Sequence, residues 1–156
     1  MMRWFIYLTL VLASCIPATA QQLNELRSAY KSATRSQQDA EAFYERVSGV
    51  TKSDIPVLQA YKGSGLMLLA RYEKLAARKP KVKEAVQWIE AAVAADPDNA
   101  EIRLIRLSVQ EHLPKLLRYN QHIEEDRQFI QQALPSIKDE GLKAMINGYF
   151  AEFSKD

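Results

Sequence analysis

Two histidines, one cysteine and a short run of carboxylates are the side chains of this 156-residue chain best suited to chemistry. His112 and His122 flank Pro114, and Glu124, Glu125 and Asp126 follow the second histidine. His122 and Asp126 share a helix face at i, i+4, as a pair of metal ligands would, but a further histidine across a proline completes no known zinc spacing. The carboxylates are explained more simply as the first turns of a helix, where negative charge complements the dipole. Covalent catalysis has no nucleophile to single out: no serine sits in a G-x-S-x-G elbow, and Cys15 falls in the N-terminal leader. Gly63-Ser64-Gly65 follows no strand and precedes no G-K-[S/T], so it reads as a close helix contact or a bend rather than a phosphate cradle. These residues lead us to expect no catalysis, no metal and no cofactor.

The leader carries the address. Met1-Met2-Arg3 is followed by the apolar run Trp4–Ala13 and then by Pro17-Ala18-Thr19-Ala20. A cation, a short apolar core, a proline and an A-x-A ending make a secretory signal peptide over 1–20, cut between Ala20 and Gln21. The core is shorter than the roughly twenty residues that span a bilayer. Leu12-Ala13-Ser14-Cys15 also resembles a bacterial lipobox; on that alternative 1–14 is removed and Cys15 becomes a lipidated membrane anchor. Residues 21–156 form a single domain either way, periplasmic or secreted in the first case and lipid-anchored to the envelope in the second.

Charge narrows the partners. The chain has 21 basic and 19 acidic residues, a net charge of +2, which gives no overall field for nucleic acid. Lys74, Arg78, Lys79, Lys81 and Lys83 gather across one turn and read as a solvated loop. Membrane association is expected only if Cys15 is lipidated, when anionic headgroups could meet that turn.

Positioning falls to helices. Leu23, Leu26, Tyr30 and Ala33 recur at helical spacing, as do Ala40, Phe43, Tyr44 and Val47, then Leu58 through Ala76, Val82 through Val93, and Leu142 through Phe153. No window alternates apolar and polar residues as a strand would. Prolines and caps divide the chain into helices at about 22–34, 37–49, 54–77, 80–95, 98–113, 120–134 and 137–153, with Pro80 opening the fourth and Asp98 and Glu101 shaped like a capping box for the fifth. Short connections predict antiparallel hairpins.

The segment Ala85-x₃-Ile89-x₂-Ala92-x₄-Pro97 resembles the second half of a tetratricopeptide repeat, and Ala94 through Glu101 is similar to a junction between two such repeats. Ala40-x₃-Tyr44-x₂-Val47 and Asp126-x₃-Ile130-x₂-Ala133 echo the pattern, although Leu69-x₂-Tyr72-Glu73-x₂-Ala76 keeps the first-helix spacing without its identities. The resemblance implies an all-α fold: a short right-handed TPR-like stack of hairpins whose open end is sealed by a capping helix at 137–153. It also implies an adaptor or scaffold that binds a protein or peptide in a concave groove. The alternative function is a membrane-anchored lipoprotein that braces a membrane complex. By the same resemblance Arg103, Arg106 and Gln110, with Lys74, are the expected groove contacts, the arginines binding carboxylates of the partner.

Overall fold

The apolar stripes become seven α-helices. A computed structural model describes residues 18–114 and 117–153, and among them there is no β-strand. The helices are α1 (Ala18–Ser32), α2 (Gln37–Ser48), α3 (Pro56–Ala70), α4 (Leu75–Ala95), α5 (Ala100–His112), α6 (Ile123–Ala133) and α7 (Glu140–Phe153), with a 3₁₀ turn at Leu134–Ser136. None among the described residues is long and apolar enough to cross a membrane. The apolar leader core and Cys15 lie outside the described residues, while the Ala20–Gln21 bond falls in the first turn of α1.

Helix boundaries depart from expectation where side chains take over backbone bonds. α3 stops at Ala70 rather than running to 77, and the Arg78 guanidinium donates to the carbonyls of Ala70, Arg71 and Glu73 at 3.0, 3.3 and 2.9 Å. The guanidinium thus holds the end of α3 and the turn after it, adding to the bond that Ala70 accepts from the Glu73 amide at 3.3 Å. α4 therefore starts at Leu75, and Pro80 lies inside it instead of opening it. Proline at 80 supplies no N–H to the carbonyl of Ala76, four residues before it, and both residues are exposed. Asn99 rather than Asp98 caps α5: its side chain accepts from the amides of Glu101 and Ile102 at 3.0 and 3.2 Å. Glu101 is thereby released from a capping box and turns inward. α7 begins at Glu140, where Asp139 Oδ1 accepts from the Leu142 amide at 3.0 Å.

Contacts fix the helix directions. Against α4, Ala70 meets Arg78 while Gly63 meets Ala85 and Ile89, so the two run antiparallel. Against α6, Arg103 lies over Phe129, Arg106 binds Asp126 and Gln110 binds His122, which is antiparallel again. Phe43 and Tyr44 meet Gly65 while Ser48 and Val50 meet Lys62, so α2 opposes α3. The odd-numbered helices run together: Arg27 pairs with Glu101 and Tyr30 with Ser108, placing α1 parallel to α5. Arg27 also meets Asp139 before α7, whereas Glu111 and His112 meet Tyr149 and Phe153 near its end, so α7 runs the same way.

α3 is the element around which the others assemble, touching α1, α2, α4 and α5. One apolar cluster unites Leu26, Phe43, Val47, Tyr61, Val93, Ile102 and Ile105 from five helices. A second joins Leu104 and Leu107 of α5, Ile130 of α6 and Ile146 of α7. Each such side chain contributes about 1.5–3 kcal/mol on burial. Close approach of α3 to α4 depends on Gly63, where a Cβ would sit 2.7 Å from Ile89 Cγ1 and 2.8 Å from the Ala85 carbonyl. The glycine cluster is thus a packing device.

Candidate functional site

α1, α3 and α5 enclose a buried polar cluster, and α7 lies over it. Arg27 of α1 is 7% exposed and donates from Nε and Nη2 to the two Glu101 oxygens at 2.8 and 2.6 Å. This parallel fork is the strong form of the carboxylate–guanidinium bond. Tyr61 of α3 donates its hydroxyl to Glu101 Oε1 at 2.6 Å and also lies 3.8 Å from Met145 Sδ of α7. Beneath it Tyr30, Phe43 and Tyr61 form an aromatic cluster, and Tyr30 bonds Ser108 at 2.8 Å.

Burial disfavours the Arg27 charge, but the hydrogen bonds and charge of Glu101 more than compensate, so its guanidinium is held protonated more firmly than usual. Burial, then the neighbouring Glu101 charge, pushes the Tyr61 hydroxyl well above the ordinary tyrosine range. Tyr61 therefore stays a donor. The cluster is internally satisfied and has no activated nucleophile.

Its outer edge is different. Arg27 Nη1 and Nη2 reach past Glu101 to Asp139, at 3.1 and 2.9 Å, and the Asp139 side chain is 46% exposed. Burial would raise the Asp139 carboxyl, yet the Leu142 amide and the Arg27 guanidinium hold it below its ordinary value. Asn24 completes the edge by accepting from Arg27 Nη1 at 2.8 Å. α7 comes this close because residue 141 is glycine: a Cβ there would lie 2.3 Å from Asn24 Oδ1 and 3.1 Å from Arg27 Nη1. Further along, Glu111 of α5 accepts from Tyr149 and Arg127. α7 therefore does more than close the end formed by α5 and α6; it extends across to α1. Only Ile146 of α7 is fully buried, with Leu142, Met145, Tyr149 and Phe150 partly so.

The residues expected to line a groove lie elsewhere. Arg103, Arg106 and Gln110 face α6, inside their own hairpin. Arg106, 3% exposed, binds both oxygens of the fully buried Asp126 at 2.7 Å, and Arg103 adds a bond to Asp126 Oδ1 at 2.8 Å and one to Glu125 at 2.7 Å. Gln110, 2% exposed, accepts from the His122 amide at 3.1 Å. In this conformation the guanidinium of Arg106 and the amide of Gln110 are out of reach of a partner, because carboxylates of their own chain and α6 cover them. Lys74 stands apart at the start of α4 and is exposed.

Of the candidate metal residues, His122 bonds Glu125 at 2.8 Å and His112 bonds the Ser108 carbonyl at 2.7 Å while its ring meets Phe153. No group of three or more metal-ligating side chains converges among the described residues.

Arg27 and Glu101 escape notice in the sequence because 74 positions separate them. One signal was there to be used: Arg27 is a charge on the stripe Leu23, Leu26, Tyr30, and Glu101 shares a face with Leu104, Ile105 and Ser108. Opposite charges on two core faces ask to be paired. No protein-family model matches the chain, and no characterised protein or solved structure matches it significantly.

Proposed function

We infer that this chain is a non-catalytic, TPR-like adaptor that holds an amphipathic segment of a partner protein on the face formed by α1, α5 and α6 with Tyr61 of α3. The observation that carries this reading is the seating of α7 on that face. The face already accepts a helix whose apolar stripe (Leu142, Met145, Ile146, Tyr149) lies against α5, α6 and Tyr61 and whose capping carboxylate, Asp139, reaches Arg27. A partner segment with the same chemistry, an acidic N-cap followed by an apolar helical stripe, would take the place of α7, a helix-in-groove mode of recognition. The parallel run of odd helices, with each even helix returning between them, supports a TPR-like stack of three hairpins in which α7 occupies the position of the next first helix. The adaptor would work outside the cytoplasm, exported by cleavage after Ala20.

Capture by crosslinking in the cells that make the protein tests this, comparing wild type with Asp139→Ala, which loosens α7, and Asn24→Glu, which sets a like charge against any carboxylate approaching Arg27. Partner recovery is expected to rise with Asp139→Ala and fall with Asn24→Glu. Equal recovery from all three would overturn the assignment of this face.

A further inference from the structure

The corner between α3 and α4 concentrates the charge of the molecule. Residues 71–83 contain Arg71, Lys74, Arg78, Lys79, Lys81 and Lys83 against the single acid Glu73, a net of +5 in a chain whose total is +2, so the remainder carries −3. Every residue from Lys74 to Pro80 is exposed. Only two of the six cations are engaged: Arg78 ties the corner together through the α3 carbonyls, and Lys81 pairs with Glu73. Arg71, Lys74, Lys79 and Lys83 have no salt-bridge partner among the described residues. The carboxyl end of α3 favours Arg71 and Arg78, but α4 has no acid in its first turn and its own dipole opposes Lys74 and Lys79 at its start.

Set among these charges are large apolar side chains left in water. Leu75 is 81% exposed and Tyr72 41%, next to half-buried Leu69. Leu75 lies among lysines with long apolar stems, and Tyr72 beside Leu69, Glu41 and Glu73, an exposed apolar pair within a cationic corner that matches the boundary between headgroups and acyl chains of an anionic bilayer. An acidic protein surface would satisfy the charges but leaves the 81% exposed Leu75 unexplained. We propose that the α3–α4 corner docks on an anionic phospholipid surface, Leu75 and Tyr72 entering the interface and Arg71, Lys74, Lys79 and Lys83 meeting the phosphates. The docking face is separate from the face under α7, so the two can be occupied together.

Co-sedimentation with vesicles tests it, using the mature chain that begins at Gln21 in every arm so that neither the apolar leader nor an acyl chain contributes. The vesicles are phosphatidylcholine alone and phosphatidylcholine mixed with phosphatidylglycerol. Binding is expected to the mixed vesicles in preference to the neutral ones, and to weaken with added salt. Lys74→Glu with Lys79→Glu should lower it by about tenfold or more, given the affinity each cation near such a surface adds. Leu75→Ser should lower it several-fold, and Arg46→Glu with Lys138→Glu, the same charge change elsewhere, should leave it nearly unchanged. Equal binding to both vesicle types, no binding to either, or equal losses from the two charge pairs would overturn the proposal. Failure on vesicles together with loss of an acidic protein partner in the Lys74/Lys79 variant would assign the corner to protein instead.

Discussion

Replacing Asp139 separates the two bonds that fasten the start of α7. Its carboxylate caps the helix through the Leu142 amide and pairs with Arg27 across to α1. Loss of a cap costs about 1 kcal/mol. An ion pair with one half-exposed partner adds about 0.2–1 kcal/mol. Asp139→Ala removes both, a loss of about 1.2–2 kcal/mol in α7 docking; Asp139→Asn keeps the cap, since asparagine caps as well as aspartate, and loses the smaller share. α7 has a single fully buried side chain, so its amides should exchange by a local opening rather than by global unfolding. At about 1.4 kcal/mol per factor of ten, hydrogen exchange of the α7 amides should quicken about 7- to 30-fold in Asp139→Ala and by no more than about 5-fold in Asp139→Asn. The slowest amides of α3 should not change. Acid should act like the asparagine variant. The folded Asp139 carboxyl titrates below its ordinary value of 3.8, so its contribution is whole above that pH and is lost as pH falls through the folded value. Unchanged α7 exchange, or equal acceleration in every helix, would refute the idea that α7 is a separately held occupant.

Four further outcomes follow from the same geometry. Asp126→Ala takes the buried carboxylate from Arg106, leaving it Glu90 at 3.2 Å while Arg103 keeps Glu125, and should cost about 3 kcal/mol, read from denaturant midpoints, because a buried pair is broken from one side. Gly63→Ala drives a methyl group into Ile89 and the Ala85 carbonyl and should destabilise by about 1–3 kcal/mol despite the better helix propensity of alanine, which thermal melting would report. The Glu125 carboxyl, held at about 2 by hydrogen bonds from Arg103 and then His122, should return toward 4.5 in Arg103→Met when followed by NMR titration; its contribution to stability is present above 4.5 and fades as pH falls toward 2. Mass spectrometry of the mature protein should find Gln21 at the N-terminus, and an acylated Cys15 would contradict that.

Local pattern carried the sequence reading a long way, because a helix writes its buried face every three to four residues. The stripes located five of the helices and the prolines and caps the other two, but Asp126, read as an acid complementing the dipole of a first turn, is fully buried. What escaped the sequence was pairing across helices. Arg103 and Arg106 form a polar ridge in one dimension, and nothing local says that their carboxylate waits on α6, 20 or more positions away. Arg27 looks like any helical arginine until α5 brings Glu101 against it. Helix ends moved for a related reason: the Arg78 side chain closes α3 from the far side of the turn, a bond that propensity and proline position do not encode.

The claim that the face of α1, α5 and α6 with Tyr61 accepts an amphipathic helix is tested most directly by offering it one. A fluorescent peptide of residues 137–153 titrated into the full chain must compete with tethered α7, whose effective concentration is high, so wild type should bind it weakly. Asp139→Ala in the protein should tighten that binding by up to about 30-fold, matching the loss in α7 docking, because the competitor is weakened while the face is intact. Adding Asn24→Glu should abolish the gain. Binding that is absent from the Asp139→Ala protein, or indifferent to Asn24, would contradict the account.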